Sequence, residues 1–348
     1  MLVVDWRQPV LTRRCLASLV GPVAALGAEI VLAVNEADAP TLEAYRRDLP
    51  TVTVVGRPDN AGFAGGVAAA AAASSGEVLV LVNNDAVVEP TFLVEGLAAL
   101  ERTSAAAVAA TVVLEGSFVE DRTGRDGADL LVGLDGRRWR RVDSGGVRLL
   151  NGTGVDVTVD GNGHDRDWLA PLDAASRRSG DDRPFGFSGG AAFLRRSAVE
   201  AVGGLDESFF MYYEDVDLAW RLRLAGHEVA WAPDAVVVHR HAASSGSSGP
   251  LVRYQSMRNR LATVLRNGSA PLVRRVVLRT VLRCARDVLP RGGGAAQLSR
   301  RQWLALGLEL PGLWRRARRA RSADGVAEVD RRSVERLLVP PPGRGKAS

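Results

Sequence analysis

The chain has 348 residues, of which 46% are hydrophobic and 24% charged, and a formal net charge of +5. This composition is that of an ordinary globular protein, and neither a signal-peptide pattern nor a run of about 18 uncharged apolar residues is present, which argues against a membrane span. The two cysteines, Cys15 and Cys284, lie far apart without metal-ligand spacing. A disulfide framework and a zinc site are therefore disfavoured, and a reducing, cytoplasmic compartment is expected.

The first half of the chain alternates short β-like segments with helical ones. Hydrophobic periodicity predicts strands at 2–4, 30–34, 52–55 and 77–82 and helices at 10–20, 41–49 and 65–75. This order predicts an α/β fold with βαβ units and a largely parallel sheet. Ligands of such sheets bind beyond the carboxyl ends of strands, so residues 83–85, which follow the fourth strand, lie where a nucleotide would bind. A polar turn with local hydrogen bonds is the alternative.

A glycine-rich segment at 60–66 precedes the third predicted helix. Glycines let the backbone approach a ligand closely, and the N-terminus of a helix favours a phosphate group. The segment therefore indicates a phosphate-binding loop, and a glycine turn that only caps the helix is the alternative.

Residues 115–184 are rich in Gly, Asp and Arg and contain few apolar runs. The segment is too long for an ordinary connection, so we expect a functional loop region. The strand predicted next, within 187–196, begins beside Gly189 and Gly190, which leave room for a substrate.

The most informative segment is 203–221, where Glu214, Asp215 and Asp217 directly follow an aromatic run. A carboxylate beside apolar rings is partly desolvated, which raises its pKa and makes it a better proton acceptor for a sugar or alcohol hydroxyl. The acidic first turn of an amphipathic helix is the alternative.

The C-terminal third carries most of the excess positive charge. Residues 251–348 contain 22 basic and six acidic side chains, whereas residues 1–250 contain 23 and 34. Helices are predicted at 251–265, 272–289 and 297–314. Their apolar faces flanked by arginine suit a membrane interface that bears anionic lipid. Packing against the rest of the chain or against a partner in a homodimer is the alternative.

The segment 203–221 resembles the acceptor-side motif of family 2 inverting glycosyltransferases, in which Gly-Gly-(Leu/Phe)-Asp-Glu, an aromatic run and Glu-Asp-(Val/Ile)-Asp-Leu-x-x-Arg lead into a helix. Residues 60–66 are similar to the family's Asn-x-Gly-Phe-Ala-x-Gly donor loop. Residues 151–168 are similar to a segment of actinobacterial rhamnosyl- and galactofuranosyl-type members. The resemblance implies the GT-A fold, a Rossmann-like mixed sheet flanked by helices. It divides the chain into a catalytic domain, a basic amphipathic helical appendage and a partly disordered tail, at 1–250, 251–320 and 321–348.

The resemblance assigns roles to particular residues. It makes Asp215 the catalytic base, which takes the proton of the acceptor hydroxyl while the nucleoside diphosphate leaves from the opposite face. The residues implied for donor binding are Asn35, Asn60, Gly62, Gly65, Asn83, Asn84 and Asp85, and those for acceptor binding are Gly189, Gly190, Asp206, Tyr213 and Glu214. Asn35 stands where the family has an Asp that accepts from the pyrimidine N–H, and its amide oxygen can accept the same bond without charge.

The resemblance also implies a divalent metal ion. Residues 83–85 are similar to the family's Asp-x-Asp signature, which holds the ion that bridges the donor diphosphate, and oxygen ligands suit Mg²⁺ or Mn²⁺. Asp85 is the carboxylate of this tripeptide, and His239 is implied as a second ligand, with a structural imidazole as the alternative. Arg240 or His241 would contact the diphosphate.

The implied function is inverting transfer of a sugar, with rhamnose preferred, from a dTDP- or UDP-linked donor to a hydroxyl of a glycan or polyprenyl-linked glycan in cell-envelope synthesis. Transfer of galactofuranose or another hexose is one alternative, and a degenerate sugar-nucleotide-binding protein without turnover is another. An NAD-type oxidoreductase is disfavoured because its glycines should follow the first strand, and here they follow the third. We expect no nucleic-acid partner and a peripheral association with the inner face of the plasma membrane.

Overall fold

The computed structural model describes residues 1–123, 130–175, 183–240, 249–289, 297–323 and 330–342. The first elements are β1 (Leu2–Asp5), α1 (Pro9–Ala25), β2 (Ile30–Val34), α2 (Ala39–Asp48), β3 (Val52–Gly56), α3 (Gly62–Ala72), β4 (Val78–Val82), β5 (Ala86–Val88), α4 (Phe92–Thr103), β6 (Ala107–Leu114) and β7 (Ser117–Glu120). Each strand and helix predicted in residues 1–82 is present, with bounds that differ by a few residues.

The elements that follow are β8 (Leu130–Val132), β9 (Arg138–Val142), β10 (Leu150–Gly152), β11 (Val155–Val157), β12 (Gly163–Asp165), α5 (Leu172–Ala175), β13 (Ala191–Arg195), α6 (Arg196–Ala201), α7 (Glu214–Leu224), β14 (Val229–His239), α8 (Pro250–Asn267), α9 (Ala270–Val288), α10 (Arg300–Ala323) and α11 (Arg331–Glu335). A short 3₁₀ helix at Glu207–Phe209 precedes α7.

Within the described residues, the central sheet has nine strands in the order β3-β2-β1-β4-β13-β6-β14-β5, with β10 paired to β6. Strands β1, β2, β3 and β4 run parallel, whereas β13 runs antiparallel to both of its neighbours. Strand β4 is apolar throughout and β6 is apolar apart from Thr111, as suits a sheet that is buried on both faces. Helices α1 and α4 cover one face, and α3 and α7 cover the other. The predicted α/β class with a mixed sheet flanked by helices is confirmed.

The carboxyl ends of β1, β2 and β4 meet at one edge of the sheet, which we call the carboxyl edge. Asp5, Asn35 and Asn83 stand at or directly after these three ends. Antiparallel β13 begins at the same edge, because the backbone N–H of Asn83 donates to the carbonyl of Gly190 at 2.9 Å. The topology therefore gathers polar residues from distant parts of the sequence into one cleft.

Residues 115–184 were expected to form a loop region, and that expectation is wrong for the described part. Strands β7, β8 and β9 form a three-stranded sheet, and β11 pairs with β12. Single apolar side chains such as Phe118 and Trp139 pack a small separate core. Short strands with isolated apolar residues lack the long runs by which strands are recognised in a sequence.

The C-terminal helices pack against α7. Val216 and Trp220 of α7 share one hydrophobic cluster with Leu261 of α8, Val276 of α9 and Trp303 of α10. Helix α10 continues through Pro311 and beyond the predicted end at residue 314, with Leu313 and Ala317 buried in the same cluster. Within the described residues, these helices therefore pack against the rest of the chain.

Part of the C-terminal tail also belongs to this packed unit. Glu335 of α11 accepts hydrogen bonds from the backbone N–H and the hydroxyl of Ser269, at 2.6 and 2.8 Å. Farther on, the N–H of Val339 donates to the carbonyl of Val157 at 2.9 Å. Residues 324–329 and 343–348 lie outside the described residues.

Candidate active site

Asp215 lies in the first turn of α7 and faces the start of β13. Its Oδ2 accepts from the backbone N–H of Gly189 at 2.9 Å, and its Oδ1 accepts from the N–H of Val216 at 2.8 Å. A Cβ added at Gly189 would meet the Phe63 ring at 2.8 Å. A side chain at position 189 would therefore require the Phe63 ring to move.

The pKa values of two adjacent carboxyl groups, Glu214 and Asp215, are shifted at this site. Burial raises the pKa of Asp215, while its hydrogen bonds from the N–H groups of Gly189 and Val216 lower it. Burial, with the charge of Asp215 as a second cause, raises the pKa of Glu214 well above its ordinary value. Glu214 is 5% exposed, and its Oε2 accepts no hydrogen bond from any described residue. A carboxylate whose pKa is raised is a better proton acceptor, as a general base requires.

A series of polar contacts connects Asp85 to Asp165 through His239 and Asn151. Asp85 Oδ1 lies 3.0 Å from His239 Nε2, and His239 Nδ1 lies 2.9 Å from Asn151 Oδ1. The amide nitrogen of Asn151 donates to Asp165 Oδ2 at 3.0 Å. Burial, followed by the charge of Asp215, raises the pKa of Asp165 to about 7. Asn151 and Asp165 were not predicted as site residues, since only the pairing of β10 with β6 and of β12 with β11 brings them here.

The Asp85–His239 pair fits a divalent metal ion. Asn151 Oδ1 can only accept, so Nδ1 of His239 carries the proton, and in a neutral ring the lone pair of Nε2 faces Asp85. Two adjacent ligands of an octahedral ion with bonds of about 2.1 Å are separated by about 3 Å, as these two atoms are. No group of three or more His, Cys, Asp or Glu side chains forms a metal site within the described ranges. An ion here would complete its shell with diphosphate and water oxygens.

Asn35, which follows β2, carries a buried acceptor without a partner. It is 3% exposed, and its amide nitrogen donates to the carbonyl of Gly62 at 2.9 Å. Its amide oxygen accepts no hydrogen bond from the described part of the chain. A buried acceptor without a donor is rare in folded proteins and marks a place for a ligand N–H.

The donor loop at residues 60–66 is held against the acceptor motif. Asn60 Oδ1 accepts from the N–H of Gly62 at 2.9 Å. Gly62 has a φ of +68°, and a Cβ there would lie 2.1 Å from the carbonyl oxygen of Phe210. A Cβ added at Gly65 would likewise lie too close to its neighbours, 2.5 Å from the Cβ of Ala61. Glycine is therefore required sterically at both positions.

Asn84 points into the fold and supports the loop between β4 and β5. Its amide nitrogen donates to Asp5 Oδ1 at 3.3 Å and to Thr12 Oγ1 at 3.0 Å. Asp5 also accepts from the Tyr45 hydroxyl at 2.9 Å, which satisfies its second oxygen. Asn84 thus fixes the loop on which Asn83 and Asp85 stand.

The remaining acceptor-side residues make structural contacts. The hydroxyl of Tyr213 accepts from the N–H of Gly163 at 3.1 Å, which ties the acceptor motif to β12. Asp206 caps the 3₁₀ helix and lies 3.3 Å from Arg266 of α8. Gly190 adjoins the side chain of Asn83, whose nitrogen a Cβ at Gly190 would meet at 3.3 Å. The backbone N–H of Arg240 donates to the carbonyl of Asp85 at 3.0 Å, and His241 lies outside the described residues.

The sequence matches two protein families. The family described as Glycosyl transferase family 2 matches residues 9–203, more than half of the chain. The family described as Glycosyl transferase family group 2 matches residues 155–288.

Two curated relatives match parts of the chain. N-acetylglucosaminyl-diphospho-decaprenol L-rhamnosyltransferase of Mycobacterium tuberculosis is 50% identical over 66 residues, which are 19% of this chain and 22% of that protein. The uncharacterized protein y4gI of Sinorhizobium fredii is 28% identical over 176 residues, which are 49% of this chain and 16% of that protein. The chain thus spans less than a quarter of the length of these relatives.

Two solved structures share the fold, both at low identity. GalNAc-T7 with UDP, GalNAc and Mn²⁺ has a TM-score of 0.56 at 13% identity, over 84% of this chain and 51% of that one. Mannosyltransferase PcManGT from Pyrobaculum calidifontis, in complex with GDP-Man and Mn²⁺, has a TM-score of 0.50 at 15% identity, over 97% and 85%. These likenesses concern the fold. With a family match over more than half of its length and the GT-A arrangement of its sheet, the chain belongs to glycosyl transferase family 2.

Proposed function

We propose that the protein is an inverting glycosyltransferase that transfers a sugar from a nucleoside diphosphate to a hydroxyl group, with Asp215 as the base. One observation carries the proposal: the carboxylate of Asp215, half-buried at the start of α7, accepts from the N–H of Gly189 at 2.9 Å, at the carboxyl edge where the donor loop and residues 83–85 also lie. A proton acceptor and a phosphate-binding region then face the same cleft.

In the proposed reaction, Asp215 takes the proton of the acceptor hydroxyl as the oxygen attacks the anomeric carbon. The bond from that carbon to the diphosphate oxygen breaks, and the diphosphate leaves from the opposite face. Asp85 and His239 would hold Mg²⁺ or Mn²⁺, which would neutralise charge on the leaving diphosphate. Gly62 and Gly65 let the backbone at the start of α3 approach the donor, where the helix N-terminus favours phosphate oxygens.

The donor base is proposed to be a pyrimidine, as in dTDP or UDP. The free amide oxygen of Asn35 supports this, since a pyrimidine such as uracil or thymine presents a ring N–H to an acceptor. The hydrogen bond from Asn35 to the carbonyl of Gly62 fixes the orientation of the amide. In the proposed complex, the amide oxygen accepts from the ring N–H of the base.

Rhamnose is the proposed sugar, and a lipid-linked or free glycan of the cell envelope is the proposed acceptor. Support comes from the partial match to a rhamnosyltransferase whose name specifies a diphospho-decaprenol acceptor. Transfer of galactofuranose or another hexose is the second candidate, since the same carboxylates would serve it.

A membrane partner is proposed for the helices after residue 250. On α9, Leu278, Val281 and Leu282 are 57–61% exposed, with the exposed Arg274 and Arg286 on the same helix. Apolar side chains flanked by arginine suit a surface of anionic lipid. No described helix is both long enough and apolar enough to cross a bilayer. A second copy of the chain is the alternative partner for this face.

The function is tested by incubating the protein with a panel of dTDP- and UDP-sugars, with and without Mn²⁺, and measuring release of the nucleoside diphosphate. We expect Mn²⁺-dependent release from one of these donors, with dTDP-rhamnose preferred. Tight donor binding without any release would instead favour a sugar-nucleotide-binding protein without turnover.

A further inference from the structure

The aromatic segment, residues 209–213, enters α7 through a conformation that non-glycine residues seldom adopt. Phe210, Tyr212 and Tyr213 have φ values of 64°, 66° and 71°. Left-handed values of this kind persist in bulky residues only where surrounding contacts hold them. Glu214 and Asp215 follow without a linker, so the conformation of this segment decides where the two carboxylates lie.

One side chain of α8 contacts most of this segment. Asn259 is fully buried, and its amide nitrogen lies 2.8, 2.9 and 2.8 Å from the carbonyl oxygens of Phe209, Met211 and Tyr212. Its two amide protons serve these three acceptors, and its oxygen accepts from Arg258 at 2.6 Å. All polar atoms of the Asn259 side chain are therefore engaged.

The segment is also held by the donor loop. The carbonyl of Phe210, between the carbonyls bound by Asn259, accepts from the N–H of Ala64 at 3.2 Å. Arg258 extends the contact from α8, since it donates to the carbonyl of Ser208 at 3.0 Å and pairs with Glu309 of α10 at 2.9 Å. The aromatic segment is thus clamped between α3 and the C-terminal helices.

We infer that Asn259 is a positioning residue for catalysis: it holds the aromatic segment in the conformation that places Asp215 against Gly189. This inference rests on the proposed function, in which Asp215 is the base. Carbonyl oxygens only accept hydrogen bonds, so the clamp requires a side chain with two donor protons at this point. A carboxylate of the same shape would present oxygens to three carbonyls and open the segment.

The test compares Asn259→Asp with Thr263→Ala as a matched control. Thr263 lies one helical turn later on α8, is equally buried, and its hydroxyl has no hydrogen-bond partner among the described residues. For Asn259→Asp we expect kcat to fall about 10- to 100-fold, since displacements of about 1 Å have costs of this size. The affinity for UDP or dTDP with Mn²⁺ should stay near that of the wild type. Amide exchange of a peptide covering residues 207–217 should accelerate.

Thr263→Ala should change neither kcat nor the exchange of that peptide. The inference is overturned if Asn259→Asp leaves kcat and exchange unchanged, if nucleotide affinity falls in step with kcat, or if Thr263→Ala has the same effects. A wild type that releases no diphosphate from any donor would contradict the proposed function instead. In that case the exchange measurement alone decides whether Asn259 holds the segment.

Discussion

The donor side and the acceptor side of the cleft are built in different ways. On the donor side, Asn35 and residues 83–85 stand at the ends of parallel strands, where the sheet itself places them. On the acceptor side, Asp215 follows three left-handed residues and depends on contacts from α8, about 50 residues later in the chain. The sheet brings the first set of groups together, and contacts of Asn84 with Asp5 and Thr12 hold their loop. The second set stands outside the sheet and is contacted by polar side chains of α8.

This difference bears on where the catalytic unit ends. Asp217 of α7 is fully buried and lies 2.8 Å from Arg221, 3.4 Å from Arg266, and 2.7 Å from the amide nitrogen of Asn267. The last two residues belong to α8, beyond the boundary expected at residue 250. We therefore propose a catalytic unit that includes α8.

The largest effect is expected on the acceptor side, from Asp215→Asn. An amide keeps the shape but cannot take a proton, so kcat should fall on the order of 10²–10⁴-fold, the usual contribution of a positioned base. Donor affinity should change little, because the donor side is fixed by the sheet. Transfer rates and nucleotide calorimetry on the same preparation separate the two effects.

Asp38→Asn is the matched control, since Asp38 only caps α2. Asp217→Asn is unsuitable as a control, because the buried carboxylate of Asp217 pairs with Arg221 and Arg266. It should lower the free energy of unfolding by about 3–5 kcal/mol, the range for a broken buried ion pair. If the activity of Asp215→Asn stays within a few-fold of that of the wild type, Asp215 is not the catalytic base.

Asp85→Ala should act on the donor side alone. The substitution removes the carboxylate that lies 3.0 Å from His239 Nε2. The gain in nucleotide affinity that Mn²⁺ provides should therefore fall at least about tenfold, because the loss of a residue that only supports a metal ligand already has an effect of this size. Calorimetry with UDP or dTDP, with and without Mn²⁺, measures the gain. Asn151→Ala should give a smaller loss. Equal Mn²⁺ stimulation in the wild type and in Asp85→Ala would mean that residues 83–85 form only a turn.

Burial of acceptor-side carboxylates should make the stability depend on pH. The pKa of Asp165 is raised from 3.8 to about 7. The folded protein then keeps a proton that the unfolded chain releases between about pH 4 and pH 7, so this group makes stability fall as pH rises through that window. Asp165→Asn removes the contribution, and its melting temperature relative to the wild type should rise from pH 4 to pH 7. A difference that stays constant across this pH window would contradict the expectation.

The smallest effect concerns the helices that support the acceptor side. Arg274→Ala should weaken binding to anionic vesicles about fivefold, which corresponds to about 1 kcal/mol for one basic residue near such a surface. Co-sedimentation with anionic and with neutral vesicles measures the binding, which should be released by salt because the attraction is screened. A full-length protein that ignores anionic vesicles at low salt would assign the exposed face of α9 to another partner.

The two sides also differ in how far the sequence predicts them. Periodicity and strand order locate β1 to β4, the donor loop and Asp85, since these features depend on neighbours in the chain. The role of Asn151 depends on a contact 88 residues away, and that of Asn259 on contacts 47 to 50 residues away. No local pattern marks such residues. Helices α8 to α10 are predictable as helices, but the polar side chains with which α8 binds the acceptor motif are visible only in the folded chain.

In the proposed mechanism, a base on the acceptor side faces a donor held on the other side of the cleft. The most direct test is the anomeric configuration of the first product, followed by NMR as the protein slowly hydrolyses its sugar nucleotide in the absence of a glycan acceptor. Attack from the side of Asp215 predicts a free sugar whose configuration is opposite to that of the donor before mutarotation. A first product with the donor's own configuration would contradict the account.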